Sequence, residues 1–207
     1  AALLLVAGVV VLAEIAIQTP AFGELKQMLP EQMAWRFSRA TALVGYLLLA
    51  GSMGWGLVLS TKISKEITPP PIVLALHNAV SWAALGLSGL HALALLLDTY
   101  FTYTVLDLLI PFTGPYKPFL TGLGILSLYM LAVVTASFAW KSWLGNKNWQ
   151  RIHMLSFPLY VLVTAHGLLA GSDSREPGML AVYLASILAM LFLVNYRLLT
   201  TRRKRRR

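Results

Sequence analysis

Six apolar stretches, each near the length that a helix needs to cross a hydrocarbon core, divide this chain: residues 1–18, 39–59, 72–97, 119–140, 152–170 and 179–199. A spanning helix takes about 20 such residues. The breaks between the stretches carry Pro20, Pro30, Pro69, Pro70, Pro71, Pro111, Gly114, Pro115, Pro118, Gly145, Pro177 and Gly178, the residues that interrupt or cap helices. A chain that is 57% hydrophobic and 12% charged has more apolar surface than one soluble core of 207 residues hides. The expected fold is an all-α integral membrane bundle of six transmembrane helices over residues 1–200, followed by a basic cytoplasmic tail over residues 201–207. Residues 99–118 are apolar but too short and broken to cross, and read as an interfacial helix or lid on the outer side.

The charges orient this bundle. Lys62, Lys65, Lys141, Lys147, Arg151, Arg197 and the run from Arg202 to Arg207 fall on one side by alternate loops, 12 of the 17 basic residues. Lys26, Arg36, Arg39, Lys117 and Arg175 fall on the other, with the acids Glu24, Glu31, Asp98, Asp107, Asp173 and Glu176. Positive residues favour the cytoplasmic side, so both termini are expected there, in a bacterial-type plasma membrane. The net charge of +9 is thereby read as a topology signal facing lipid rather than as a nucleic-acid surface. Trp140, Trp143 and Trp149 are expected at the inner interface, and Tyr100, Tyr103 and Tyr116 at the outer.

All four histidines fall inside apolar stretches, two on the third and two on the fifth. His77 and His91 are 14 residues apart, which on a helix is a rise of about 21 Å and an azimuthal offset of roughly 40°. They share a face, one near each membrane surface. His153 and His166 are 13 apart, about 20 Å of rise, so their depths match the first pair. Parallel third and fifth helices then set His77 opposite His153 and His91 opposite His166. Facing imidazoles in a bundle core are what a haem iron takes as two axial ligands. The metal-ligand set is therefore expected to be His77, His91, His153 and His166, holding an inner and an outer b-type haem. The chain has no cysteine, which excludes covalent c-type attachment, cysteine-ligated clusters and thiol chemistry.

A spacing of 13 turns an ideal helix by about 220°, which would send His153 and His166 to different faces. Pro158 lies between them, and a distortion near residues 153–158 is expected to restore a common face. Ala84, Gly86, Ser88 and Gly89 are small enough to let a flat macrocycle approach the third helix, or simply to pack helices closely. Arg39 and Arg151 at the membrane edges are expected to pair with cofactor carboxylates; Lys147 reads rather as a positive flank. Glu14 is a candidate proton relay or, more simply, a carboxylate reaching the interface. Trp55 and Trp82 either line a cofactor edge or pack the core.

These residues resemble the ferric-reductase-like transmembrane domain family. That family includes ferric reductases, NADPH oxidases and the haem-binding membrane subunit of the periplasmic methionine-sulfoxide reductase system. The likeness is carried by the spacing of His77 to His91, that of His153 to His166, and the run Leu144, Gly145, Trp149, Ile152 and His153, over roughly residues 39–199. It implies two bis-histidine b haems and electrons moving from a cytoplasmic flavoprotein or a membrane quinol toward an outer-face acceptor protein or small oxidant. No G-x-G-x-x-G motif is present, so the donor is expected to be a separate flavoprotein or a quinol, with quinone as a further cofactor candidate. An electron-transfer subunit is expected rather than a stand-alone enzyme. The competing expectations are a haem-free transporter or proton relay built on the same histidines, and a structural membrane subunit of a larger redox complex.

Overall fold

The computed structural model describes residues 2–30, 32–61 and 69–205. The expected inner-loop bases Lys62 and Lys65, the acid Glu31 and the side chains of the basic run at the C-terminus lie outside what it describes. The chain is all-helical among the described residues. Its elements are α1 (Ala2–Ile17), α2 (Pro20–Met28), α3 (Met33–Thr61), α4 (Pro70–Ala94, continued by a 3-10 turn at Leu95–Leu97), α5 (Val105–Leu109), α6 (Pro118–Ala136), α7 (Lys141–His153), α8 (Ser156–Ala170) and α9 (Pro177–Arg205). Proline opens α2, α4, α6 and α9, where its missing N–H costs nothing and its fixed φ suits the first turn.

Four helices are long and apolar enough to cross a membrane: Met33–Thr61, Pro71–Leu97, Pro118–Ala136 and Pro177–Thr200. Two bent pairs, α1 with α2 and α7 with α8, raise the number to six if each pair is one span. Helices of this length and composition point to a lipid bilayer as the chain's surroundings. The chain turns by 62° between Ile17 and Pro20, where the first apolar stretch was expected to end. Thr19 makes that turn, its hydroxyl accepting from the Phe22 N–H to start α2.

The bundle forms around α3 and α4, which run antiparallel, with α6 against α4, α8 against α6 and α3, and α9 against α3. Its centre is Ala84, fully buried, packed with Leu49, Leu131 and Leu159 from three other helices. Beside it a second cluster joins Tyr46, Tyr160 and Tyr183 to Met53, Leu57 and Met190. Buried hydroxyls need partners. Tyr160 and Tyr46 find theirs at Ser186 Oγ, 2.6 and 3.0 Å away, which ties α3, α8 and α9 together.

Residues 98–117 form a cap over one end of the bundle. Asp98 accepts from the Tyr100 and Phe101 N–H groups at 2.7 and 3.0 Å, and Thr104 and Asp107 close a capping box around α5. Glu14 Oε2 accepts from the Val105 N–H at 2.8 Å. Glu14 thus accepts from the first residue of α5 and ties α1 to the cap. Tyr116 Oη donates to the Ala170 carbonyl at 3.2 Å and Lys117 Nζ to that of Leu169 at 3.1 Å, satisfying acceptors at the end of α8.

Tyr103 is buried in this cap at 5% exposure. Its phenol is pushed up to about 12, first by burial and then by the negative charge of Asp98. Folding therefore favours the neutral phenol. The resulting stabilisation is complete below the ordinary tyrosine value of about 10 and is lost as pH rises toward the folded value. Melting temperature is expected to fall through that alkaline window in the native protein, and the fall attributable to this phenol to vanish in Tyr103→Phe.

Candidate functional site

The face of α4 that turns into the bundle reads His77, Ser81, Ala84, Ser88, His91, a spacing of four and three that keeps all five in one stripe. Ala84 sits between the two histidines in the packed centre, so the rings lie at two levels separated by an apolar layer. Across the bundle, the bend between α7 and α8 comes at Met154 and Leu155 and amounts to 42°. That bend directs both His153 and His166 toward α4 despite their awkward spacing. His77 faces His153 with ring centroids 6.0 Å apart, and His91 faces His166 at 6.4 Å.

The second interaction of three of the four rings is equally regular. The His77 Nδ1 donates to the Ser52 carbonyl at 3.0 Å, and the His91 Nδ1 to the Ser38 carbonyl at 2.9 Å. Ser38 and Ser52 are themselves 14 residues apart on α3, so the antiparallel pairing repeats one contact at both levels. The His166 Nδ1 donates to the Leu120 carbonyl at 2.7 Å. A carbonyl accepts only, so each of these contacts places the proton on Nδ1 and leaves the Nε2 lone pair for another partner; at His77 and His91 the hydroxyls of Ser52 and Ser38 also stand at Nδ1, at 3.1 and 2.9 Å. Histidines that bind metals are commonly held in this way. His153 is the exception: its ring stacks on Trp149 at 5.2 Å and 23°.

Two glycines border the rings. A Cβ on Gly56 of α3 would lie 3.4 Å from His77 Cε1, an ordinary contact. One on Gly124 of α6 would lie 2.7 Å from His166 Cε1, closer than real Cβ atoms come. Gly124 is therefore a seat for the His166 ring.

Each pair offers two ligands and no more: among the described residues no group of three or more His, Asp, Glu or Cys is placed to hold a bare metal ion. Two imidazoles bound through Nε2 to one metal, with bonds of about 2 Å, put their ring centroids roughly 6 Å apart. The residues therefore fit an iron whose remaining positions come from a macrocycle. A buried orphan adds to the fit. The Trp149 Nε1 is enclosed without a hydrogen-bond partner among the described residues, next to His153.

The other sequence candidates are dispersed. Arg39 follows Ser38, at the level of His91, but its guanidinium pairs with Asp173 and lies 4.0 Å over the Trp35 ring. Arg151 and Lys147 are exposed on α7. Trp55 and Trp82 turn outward, and so do Gly86 and Gly89, around which a Cβ would meet nothing within 4 Å. Only Ala84 and Ser88 of the small-residue quartet lie on the histidine face. Arg197, counted in the sequence only as a flanking charge, acts electrostatically on His153 from α9. Ser38, Ser52, Leu120 and Gly124 were not legible as site residues. The 14-residue repeat of Ser38 and Ser52, matching that of His77 and His91, is the signal that could have found the first two.

Comparisons with protein-family models, curated proteins and solved structures found no match for this chain.

Proposed function

We propose that the chain is a six-span membrane cytochrome of the ferric-reductase-like kind, holding one b-type haem between His77 and His153 and another between His91 and His166. The reading is carried by one observation: two imidazole pairs at two levels, three of the four rings donating Nδ1–H to a backbone carbonyl and so offering Nε2. Iron porphyrin held between these histidines would supply one-electron chemistry, and a histidine on each side would suit it to electron transfer rather than substrate binding. The chain's own part is to hold and orient the rings. Ser52, Ser38 and Leu120 fix tautomer and angle, Gly124 gives His166 its seat, and the layer of Leu49, Ala84, Leu131 and Leu159 keeps water from between the levels.

In this reading both termini face the cytoplasm, and the His77–His153 level lies toward that side of a bacterial-type plasma membrane. Electrons enter from a flavoprotein or membrane quinol and leave at the His91–His166 level, beneath the cap of residues 98–117, to an acceptor protein or small oxidant. Arg39 is then one shell away from the outer level, and Arg151 takes no part in holding the cofactor.

Vesicles carrying the purified protein test this. With a reductant sealed inside and ferricyanide outside, the protein is expected to reduce the outside oxidant, and His91→Ala to slow this by at least tenfold. A haem-free transporter or proton relay predicts no reduction above bare vesicles. Ser52→Ala provides a contrast. It removes the hydroxyl 3.1 Å from the His77 Nδ1 but keeps the main-chain carbonyl at 3.0 Å, so this variant is expected to keep its haem and its rate within about twofold.

A further inference from the structure

We propose that Lys141 and Trp149 form a carboxylate-binding subsite beside the His77–His153 pair, taken by an acidic side chain of the macrocycle held there. This rests on the haem reading above and adds a pair of residues that it does not use. The Trp149 Nε1 is buried without an acceptor among the described residues, so its N–H is a donor lacking its other half. A buried donor of this kind is costly to leave unmade.

The indole ring stacks on His153, at 5.2 Å and 23°, so its N–H lies beside the His77–His153 pair. Lys141 Nζ stands 4.2 Å from the Trp149 ring centroid and 5.9 Å from that of Phe138, and no carboxylate meets it among the described residues. An N–H donor beside an ammonium recognises an anionic oxygen. A neutral carbonyl would answer the indole alone, and a cation would be repelled. Trp149 precedes His153 by one turn, and Lys141 lies before the break at Gly145 (φ 74°, ψ 153°), whose non-helical backbone separates it along the chain from the Trp149 turn.

Redox titration of the full-length haem-loaded protein tests the subsite. The wild type is expected to titrate as two components, with the His77–His153 one identified by its loss in His153→Ala. Trp149→Phe keeps the stacked ring and removes only the N–H; Lys141→Met removes the charge. Each is expected to move that component to lower potential and leave the other in place, because a less neutralised carboxylate favours ferric iron. The double variant moves it further. As a second readout, loading with haem dimethyl ester, which has no free acid, is expected to leave the His77–His153 level several-fold emptier in the wild type and no emptier in the double variant.

An unmoved component in both variants, or an equal shift of both components, overturns the subsite while leaving the haem reading intact. If Trp149→Phe does not fold, Lys141→Met decides alone. A wild-type protein that takes up no haem overturns the underlying reading instead.

Discussion

Alanine at His166 is expected to halve the haem bound per chain, from two to one, and alanine at both His77 and His166 to abolish it. Each level offers only two ligands. Removing one would leave the macrocycle with a single histidine to hold it. Loss of a residue that merely supports a metal ligand typically weakens binding 10- to 100-fold, and loss of the ligand itself is the larger insult. The two levels are separated by the layer of Leu49, Ala84, Leu131 and Leu159, so emptying one is expected to leave the other loaded. Haem extracted as its pyridine complex and divided by chain concentration gives the count. Loss of both haems from a single-histidine variant, or of neither, contradicts the pairing.

Gly124→Ala is expected to do nearly the same damage at the His91–His166 level although it removes no ligand. The added methyl would stand 2.7 Å from His166 Cε1 and 2.9 Å from Nδ1, and the ring is pinned by its bond to the Leu120 carbonyl. The ring must leave that bond, its orientation, or both. Overpacking of this sort costs roughly 1–3 kcal/mol, and the misdirected Nε2 is expected to empty that level while His77 and His153 keep theirs. Gly86→Ala is the matched control. It lies in open space on α4, and the same substitution there is expected to stabilise the helix by about 0.5–1 kcal/mol with both haems retained. A Gly124→Ala protein that keeps two haems and its melting temperature would show that His166 is not seated as described.

Helical class and the four clearest spans were legible because apolar length is a one-dimensional property of the sequence. The pairing of the histidines was legible for a related reason. Rise per residue turns sequence spacing into depth, and His77, His91, His153 and His166 have spacings that match. The distortion required by the spacing of His153 and His166 was legible from Pro158, and it falls at Met154 and Leu155. The end of the first stretch was legible from Pro20, and the turn there is made by Thr19 and Pro20.

What supports the rings was less legible. A backbone carbonyl carries no side-chain signature, so nothing marks Leu120 as the acceptor for His166. Gly124 resembles any helical glycine until its neighbour is known, whereas Gly86 and Gly89 drew notice by closeness in sequence and face away. Trp55 and Trp82 drew notice as aromatics in spans, but their azimuth on the helix turns them outward. Glu14 looked like a carboxylate stranded in an apolar run because its partner, the Val105 N–H, is supplied by a segment some ninety residues later. The hydroxyl cluster of Tyr46, Tyr160 and Ser186 joins three separate helices and has no local pattern.

The central claim is that two imidazole pairs grip two haems, and the spectrum and haem content of the detergent-purified full-length protein test it most directly. The account predicts two haems per chain and, in both oxidation states, the low-spin spectrum of iron with two nitrogen ligands. A purified, folded protein with no Soret absorption after haem is supplied during its synthesis would contradict it.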